Sequence, residues 1–95
     1  MATATVVIQV GNSDDKLSQA QWFNFVRDLR QAIVARVDCV HFSGGSDWDA
    51  AWQNACWVCA IHEADIEGLQ EAVAGCRARY DQDSAAFTVG QTTLV

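Results

Sequence analysis

The chain has 95 residues, half of them apolar and none of them proline, with twelve acidic side chains against six basic ones for a net charge of −6. This length and composition predict one domain, residues 1–95, with a modest core. So acidic a surface repels phosphate backbones, which excludes nucleic acid as an expected partner unless the protein imitates DNA toward a DNA-binding protein.

Thr5 to Val10 reads as a strand, with Val6, Ile8 and Val10 on one side and Thr5, Val7 and Gln9 on the other. The polar loop Gly11-Asn12-Ser13-Asp14-Asp15-Lys16 ends it. Ser18-Gln19-Ala20-Gln21 fits a capping box. The spacing of Trp22, Val26, Leu29 and Ile33 predicts a helix running to about Arg36, and Phe23, Phe25 and Val34 widen its apolar stripe. Val37 to Phe42 is the second predicted strand, with Cys39 and His41 on one face and Val40 and Phe42 on the other.

A long connection, 43–54, follows, and Ser46 can start a helical turn in it. Ala55 to His62 is a strand apolar on both faces, a pattern expected where both faces are covered. Asp65 is placed to cap a second helix, whose stripe is Ile66, Leu69, Val73, Cys76 and Tyr80. A last strand is predicted around Ala86 to Val89, and Gln91 to Val95 is β-prone. The longest apolar runs are strand-length, so no membrane span is expected. The opening residues, Met1 to Thr5, lack the basic end and apolar stretch of a signal peptide. The expected compartment is therefore the cytoplasm.

The order strand, helix, strand, strand, helix, strand is the split βαβ, or ferredoxin-like, plan. It is an α+β sandwich of a four-stranded antiparallel sheet with two helices on one face. Right-handed crossovers give strand order 4-1-3-2. In that arrangement loops 11–17, 43–54 and 81–85 meet on one edge. Six of the nine aspartates, Asp14, Asp15, Asp47, Asp49, Asp81 and Asp83, ring that edge, with Lys16, Trp48 and Trp52 nearby.

Two uses of this edge follow from its chemistry. Asp14 and Asp15 with Asp81 or Asp83 could supply the few carboxylate oxygens that a hard divalent cation wants. Asp14, Asp15, Asp47, Trp48, Asp49 and Trp52 could instead dock a basic protein, since clustered like charge steers partners and tryptophan is favoured at binding hot spots. Against both stands the ordinary role of aspartate in making turns and caps, and Trp52 could fold back over the end of the sheet.

Other constellations point to structure. Gly11-Asn12-Ser13 lacks the glycine spacing and the lysine-serine ending of a phosphate loop. Cys56 and Cys59, three apart on a strand, face opposite ways and cannot grip one metal or pair readily. Cys39 and His41 would need a register that brings His41 beside Cys56 to form a zinc or thiol site; otherwise all four cysteines read as buried, reduced thiols. No catalytic motif is present and no cofactor is expected.

The stretch Gly11-Asn12-Ser13-Asp14-Asp15-Lys16-Leu17, followed by Gln19 and Trp22, resembles one found in small actinobacterial and actinophage proteins of unknown function. Trp52-Gln53-Asn54 and Gln82-Asp83-Ser84 are similar too. The resemblance implies a small accessory protein, phage-encoded, and brings no activity, cofactor or catalytic residue with it.

The leading functional expectation is a non-enzymatic acidic module that binds another protein. The alternatives are a divalent-metal phosphodiester or phosphoryl enzyme on the aspartate edge, and a small-ligand regulatory domain. A homodimer is expected as well. Both helices lie on one face, so the other face, with Cys39, Val7, Trp57 or Val58, and Phe87 or Thr88, is left apolar and open. The competing arrangement covers that face with the 43–54 loop and the segment Gln91 to Val95, with Trp48 or Leu94 as the lid.

Overall fold

A computed structural model describes residues 2–47 and 49–95. The elements are β1 (Thr3–Gly11), α1 (Gln19–Val34), β2 (Cys39–Gly45), β3 (Asn54–His62), α2 (Ile66–Arg79) and β4 (Ala86–Gly90), with short 3₁₀ turns at Ser13–Asp15 and Glu63–Asp65. The sheet order is β2-β3-β1-β4, all pairs antiparallel. This is the expected 4-1-3-2 arrangement read from the other side.

The period-two pattern of β1 and β3 decides which face the helices cover. Ala4, Val6, Ile8 and Val10 are buried, as are Ala55, Trp57, Cys59 and Ile61. Their pairing places Val6 opposite Cys59 and Ile8 opposite Trp57. Over them lie Phe25, Leu29 and Ile33 of α1 and Leu69, Val73 and Cys76 of α2. Trp22 and Val26 pack only partly against this core, so the buried centre of the α1 stripe runs through Phe25 instead. Tyr80 closes the roof: its ring lies 5.2 Å from that of Phe25, and its hydroxyl donates to Asp28 Oδ2 across the two helices.

Both helix starts were expected to be capped by side chains, and one is. Ser18 Oγ accepts from the Gln21 backbone N–H at 3.2 Å, and Gln21 Oε1 accepts from the Ser18 N–H at 2.8 Å. Asp65 makes no side-chain cap to α2; the 3₁₀ turn before it supplies the first backbone bond instead, from Ile66 N–H to Glu63 O. At its other end, α1 stops at Val34 rather than Arg36, because the chain turns with Arg36 and Val37 N–H both donating to Ile33 O.

The second strand differs most from expectation. It begins at Cys39, extends to Gly45, and carries a register shift between Val40 and Phe42 that leaves His41 as an extra residue. Val40 pairs with Cys59, but Phe42 pairs with Val58. The bulge therefore returns Phe42 to the face of Cys39, not that of Val40. The Phe42 ring lies down on Gly44, where an added Cβ would meet its Cζ at 2.9 Å. At Gly45 a Cβ would sit 2.4 Å from the carbonyl oxygen of Asn54, so a side chain there would break the hairpin. Among the described residues of the connection no helix forms; Ala50 N–H donates to Asp47 O as in a single turn.

Candidate functional site: an acidic loop edge and an open sheet face

The three polar loops meet as the topology requires, and two buried amides join them. Asn12, 9% exposed, directly follows β1. Its backbone N–H donates to Gln53 O at 3.1 Å, and its Nδ2 donates to Gln53 Oε1 at 3.1 Å and to Leu17 O at 2.9 Å. Its Oδ1 accepts from Leu17 N–H at 3.0 Å. Gln82, 2% exposed, does the same from the far side: its Oε1 accepts from Ser13 N–H at 2.8 Å and its Nε2 donates to Tyr80 O at 3.1 Å. Every polar group of the two amides is thereby used, which burial demands. Asn12, Gln53 and Gln82 were not singled out as site residues in the sequence. The available signal was position, an amide at each strand or helix end that borders the edge.

Three of the six aspartates have backbone roles. Asp14, Asp15 and Asp81 adopt φ of 52°, 55° and 55°, a region where aspartate is among the tolerated residues. Asp81 stands where glycine usually ends a helix: its N–H donates to Ala78 O, and Gln82 N–H reaches back to Arg77 O at 3.0 Å. Asp83 pairs with Lys16, whose Nζ lies 3.2 Å from Asp83 Oδ1 and 3.3 Å from Asp81 O. A lysine thus already stands where a cation between loops 11–17 and 81–85 would sit. Asp14, Asp15, Asp81 and Asp83 do not converge: among the described residues no group of three or more His, Cys, Asp or Glu could hold a metal ion.

Asp14, Asp15, Asp47 and Asp49 are all exposed on this edge. Trp52 does not fold back; it is 79% exposed, and Phe23, at the start of α1, is 66% exposed. Between α1 and the 43–54 loop runs a shallow groove lined by Trp22, Phe23, Ser46, Asp47 and Gln53. Trp48, also expected here, lies outside the described residues.

The thiols separate as the strand period requires. Cys59 is buried under the helices, and burial, with Cys39 and Cys56 adding to it, pushes its thiol up to about 11. Cys76 is buried in α2 and raised by the same desolvation. Cys39 is exposed on the open face, not buried as the reading of the four thiols has it, with Sγ 3.7 Å from His41 Nδ1. Its strand neighbour is Ala60, whereas Cys56 sits opposite Gly44, so the third ligand of the zinc or thiol reading is displaced along β3. His62 is at the opposite edge from the loops, 3.5 Å from Asp38 Oδ2.

The face away from the helices carries Cys39 and Phe42 on β2, Cys56, Val58 and Ala60 on β3, Thr5, Val7 and Gln9 on β1, and Ala86 and Thr88 on β4. None of these is charged. Of the two alternatives open at each strand, Val58 and Thr88 lie on this face, and Trp57 and Phe87 lie under the helices. Leu94 does not cover it, being 92% exposed. No helix among the described residues is long and apolar enough to cross a membrane.

No family model and no curated protein matches the chain. Among solved structures it is similar to a dimeric ferredoxin-like protein of unknown function from Thermobifida fusca YX, at 12% identity over 97% of this chain and 93% of that one, with a TM-score of 0.66. At that identity the likeness concerns the fold, and the chain is a ferredoxin-like α+β sandwich.

Proposed function

We propose that this protein is a small, non-enzymatic interaction module that works as a homodimer and presents its acidic edge to a basic protein partner. The observation that carries the reading is the edge itself. Three loops are fastened to one another through buried Asn12 and Gln82, and from them project exposed Asp14, Asp15, Asp47 and Asp49 beside exposed Trp52 and Phe23. A preorganised acidic rim around aromatic anchors is the composition of a docking surface, and it loses little entropy on binding. The resemblance to actinophage proteins supports reading the partner as a host protein.

The dimer is supported by the uncharged open face and by the description of the Thermobifida neighbour as dimeric. Strands of nine, seven, nine and five residues, about 4.8 Å apart with about 3.3 Å per residue, present roughly 500 Å² per copy. A pair would then bury about 1,000 Å², the lower bound for a specific interface.

Affinity capture from an actinobacterial lysate, run with wild type and with Asp47→Lys/Asp49→Lys, tests the docking surface. A basic protein retained by wild type, released by moderate salt and lost from the charge-reversed bait is the expected result. Identical captured sets from both baits would end this reading.

A further inference from the structure

We propose that the segment Gln91–Val95 crosses the dimer interface and lays Leu94 on the facing sheet of the second copy. The inference rests on the homodimer reading above. β4 stops at Gly90, opposite Thr5, although β1 runs back to Thr3, so the last stretch of the β1 edge has no β4 partner. The chain does not use that free edge. Gln91–Val95 joins no element and is exposed throughout, with Leu94 at 92%. Yet its side chains, Gln-Thr-Thr-Leu-Val, are uncharged, and four of the five residues are strand-forming or apolar.

One contact fixes where the segment leaves. Thr92 Oγ1 hydrogen-bonds Thr5 Oγ1. Thr5 sits between buried Ala4 and Val6, so its side chain is on the face the helices leave open. The segment is therefore pinned at the rim of that face, and Leu94 is held away from the core of its own protomer. Leu94, two residues beyond Thr92, stands roughly 7 Å further along an extended chain, and its side chain adds to that reach. Stacked sheets lie about 10 Å apart. From the rim, Leu94 thus reaches the sheet of a copy packed face to face. The side chains of the segment, and those of the open-face residues named above, carry no charge, so that contact brings no acidic side chains together in a chain of net charge −6.

Sedimentation equilibrium on the full chain, on Leu94→Asp and on a variant lacking residues 91–95 tests this, with circular dichroism and melting as controls on the fold. The expected result is a dimer whose dissociation constant rises at least tenfold in both variants, with unchanged secondary structure. A dimer equally tight in all three would overturn the crossing segment and leave the homodimer standing. A full chain that stays monomeric at the highest concentrations reached would overturn both.

Discussion

β3 has two apolar faces that meet different fates. Ala55, Trp57, Cys59 and Ile61 are each less than 7% exposed, packed beneath α1 and α2. Cys56, Val58 and Ala60, alternating with them, are only half-buried, and Phe42 beside them on β2 is 59% exposed. Hydrophobicity does not separate the two rows; the helices do. The covered row even keeps Trp57, whose Nε1 is buried with no hydrogen-bond partner among the described residues. The lesson is that a strand apolar on both sides names two interfaces, of which this chain builds one.

The comparison breaks most visibly on the covered side. Phe25 is fully buried where the α1 stripe meets Tyr80 and the sheet. Phe25→Ala should cost about 3–5 kcal/mol through lost burial and an unfilled cavity, a large share of the stability of a domain this small. Chemical denaturation measures it. A loss under about 1 kcal/mol would mean the core is not closed as described.

The uncovered side should respond in the opposite sense. Val58→Asp adds a charge to a row that the protomer leaves open, so the protomer should still fold, with wild-type circular dichroism. The dimer proposed above should dissociate, because a carboxylate buried between two sheets has no partner. Light scattering gives the mass. A variant that remains dimeric would place the interface elsewhere, and one that fails to fold would show that the face is covered from within.

What the sequence made legible follows from this contrast. The period-two rows of β1 and β3, the capping box at Ser18 and the α2 stripe each depend on local spacing, and each is found in the structure. The meeting of loops 11–17, 43–54 and 81–85 followed from strand order alone. The misplaced features depend on what a residue meets at long range. Nothing local marks His41 as an extra residue, so strict alternation puts Phe42 on the face of Val40, and the bulge moves it to the other. Aspartates counted as a charge cluster turn out, at Asp14, Asp15 and Asp81, to hold left-handed backbone. Asn12 and Gln82 passed as ordinary loop residues because an amide's burial is invisible until its partners are known.

Asn12 sharpens the comparison at the point where the covered side ends. Val10 and Trp57 lie just inside the loop edge, and the Asn12 amide closes it. Asn12→Ala leaves the Leu17 N–H and the Gln53 side chain without that partner, at a cost of about 1–3 kcal/mol. The effect should be local. Hydrogen exchange should accelerate in 11–17 and 53–54 while the α2 amides stay protected. Uniform loss of protection would show instead that the edge and the core unfold as one.

The smallest effect concerns how the two roofing helices are joined. Tyr80 donates to Asp28, and that hydrogen bond, followed by the one from Arg27, holds the Asp28 carboxyl below its usual 3.8. The same bond pushes the Tyr80 phenol up, with burial adding to it. A carboxylate with a depressed folded pKa contributes stability above the unfolded value and loses it as pH falls through the folded one. The Asp28 contribution should therefore be complete at neutral pH and disappear below the ordinary carboxylate range. For Tyr80 the sign reverses. Its folded pKa is raised, so its contribution is full below 10 and is lost as pH rises through the higher folded value. Asp28→Asn removes the charged acceptor and should bring the Tyr80 phenolate titration back down toward its ordinary range, as read by ultraviolet absorbance. The same substitution should flatten the acid limb of the stability curve and leave the mass in solution unchanged, because the joint lies on the helical side. If Tyr80 titrates identically in both proteins, the two helices are held together by Phe25 and its neighbours alone.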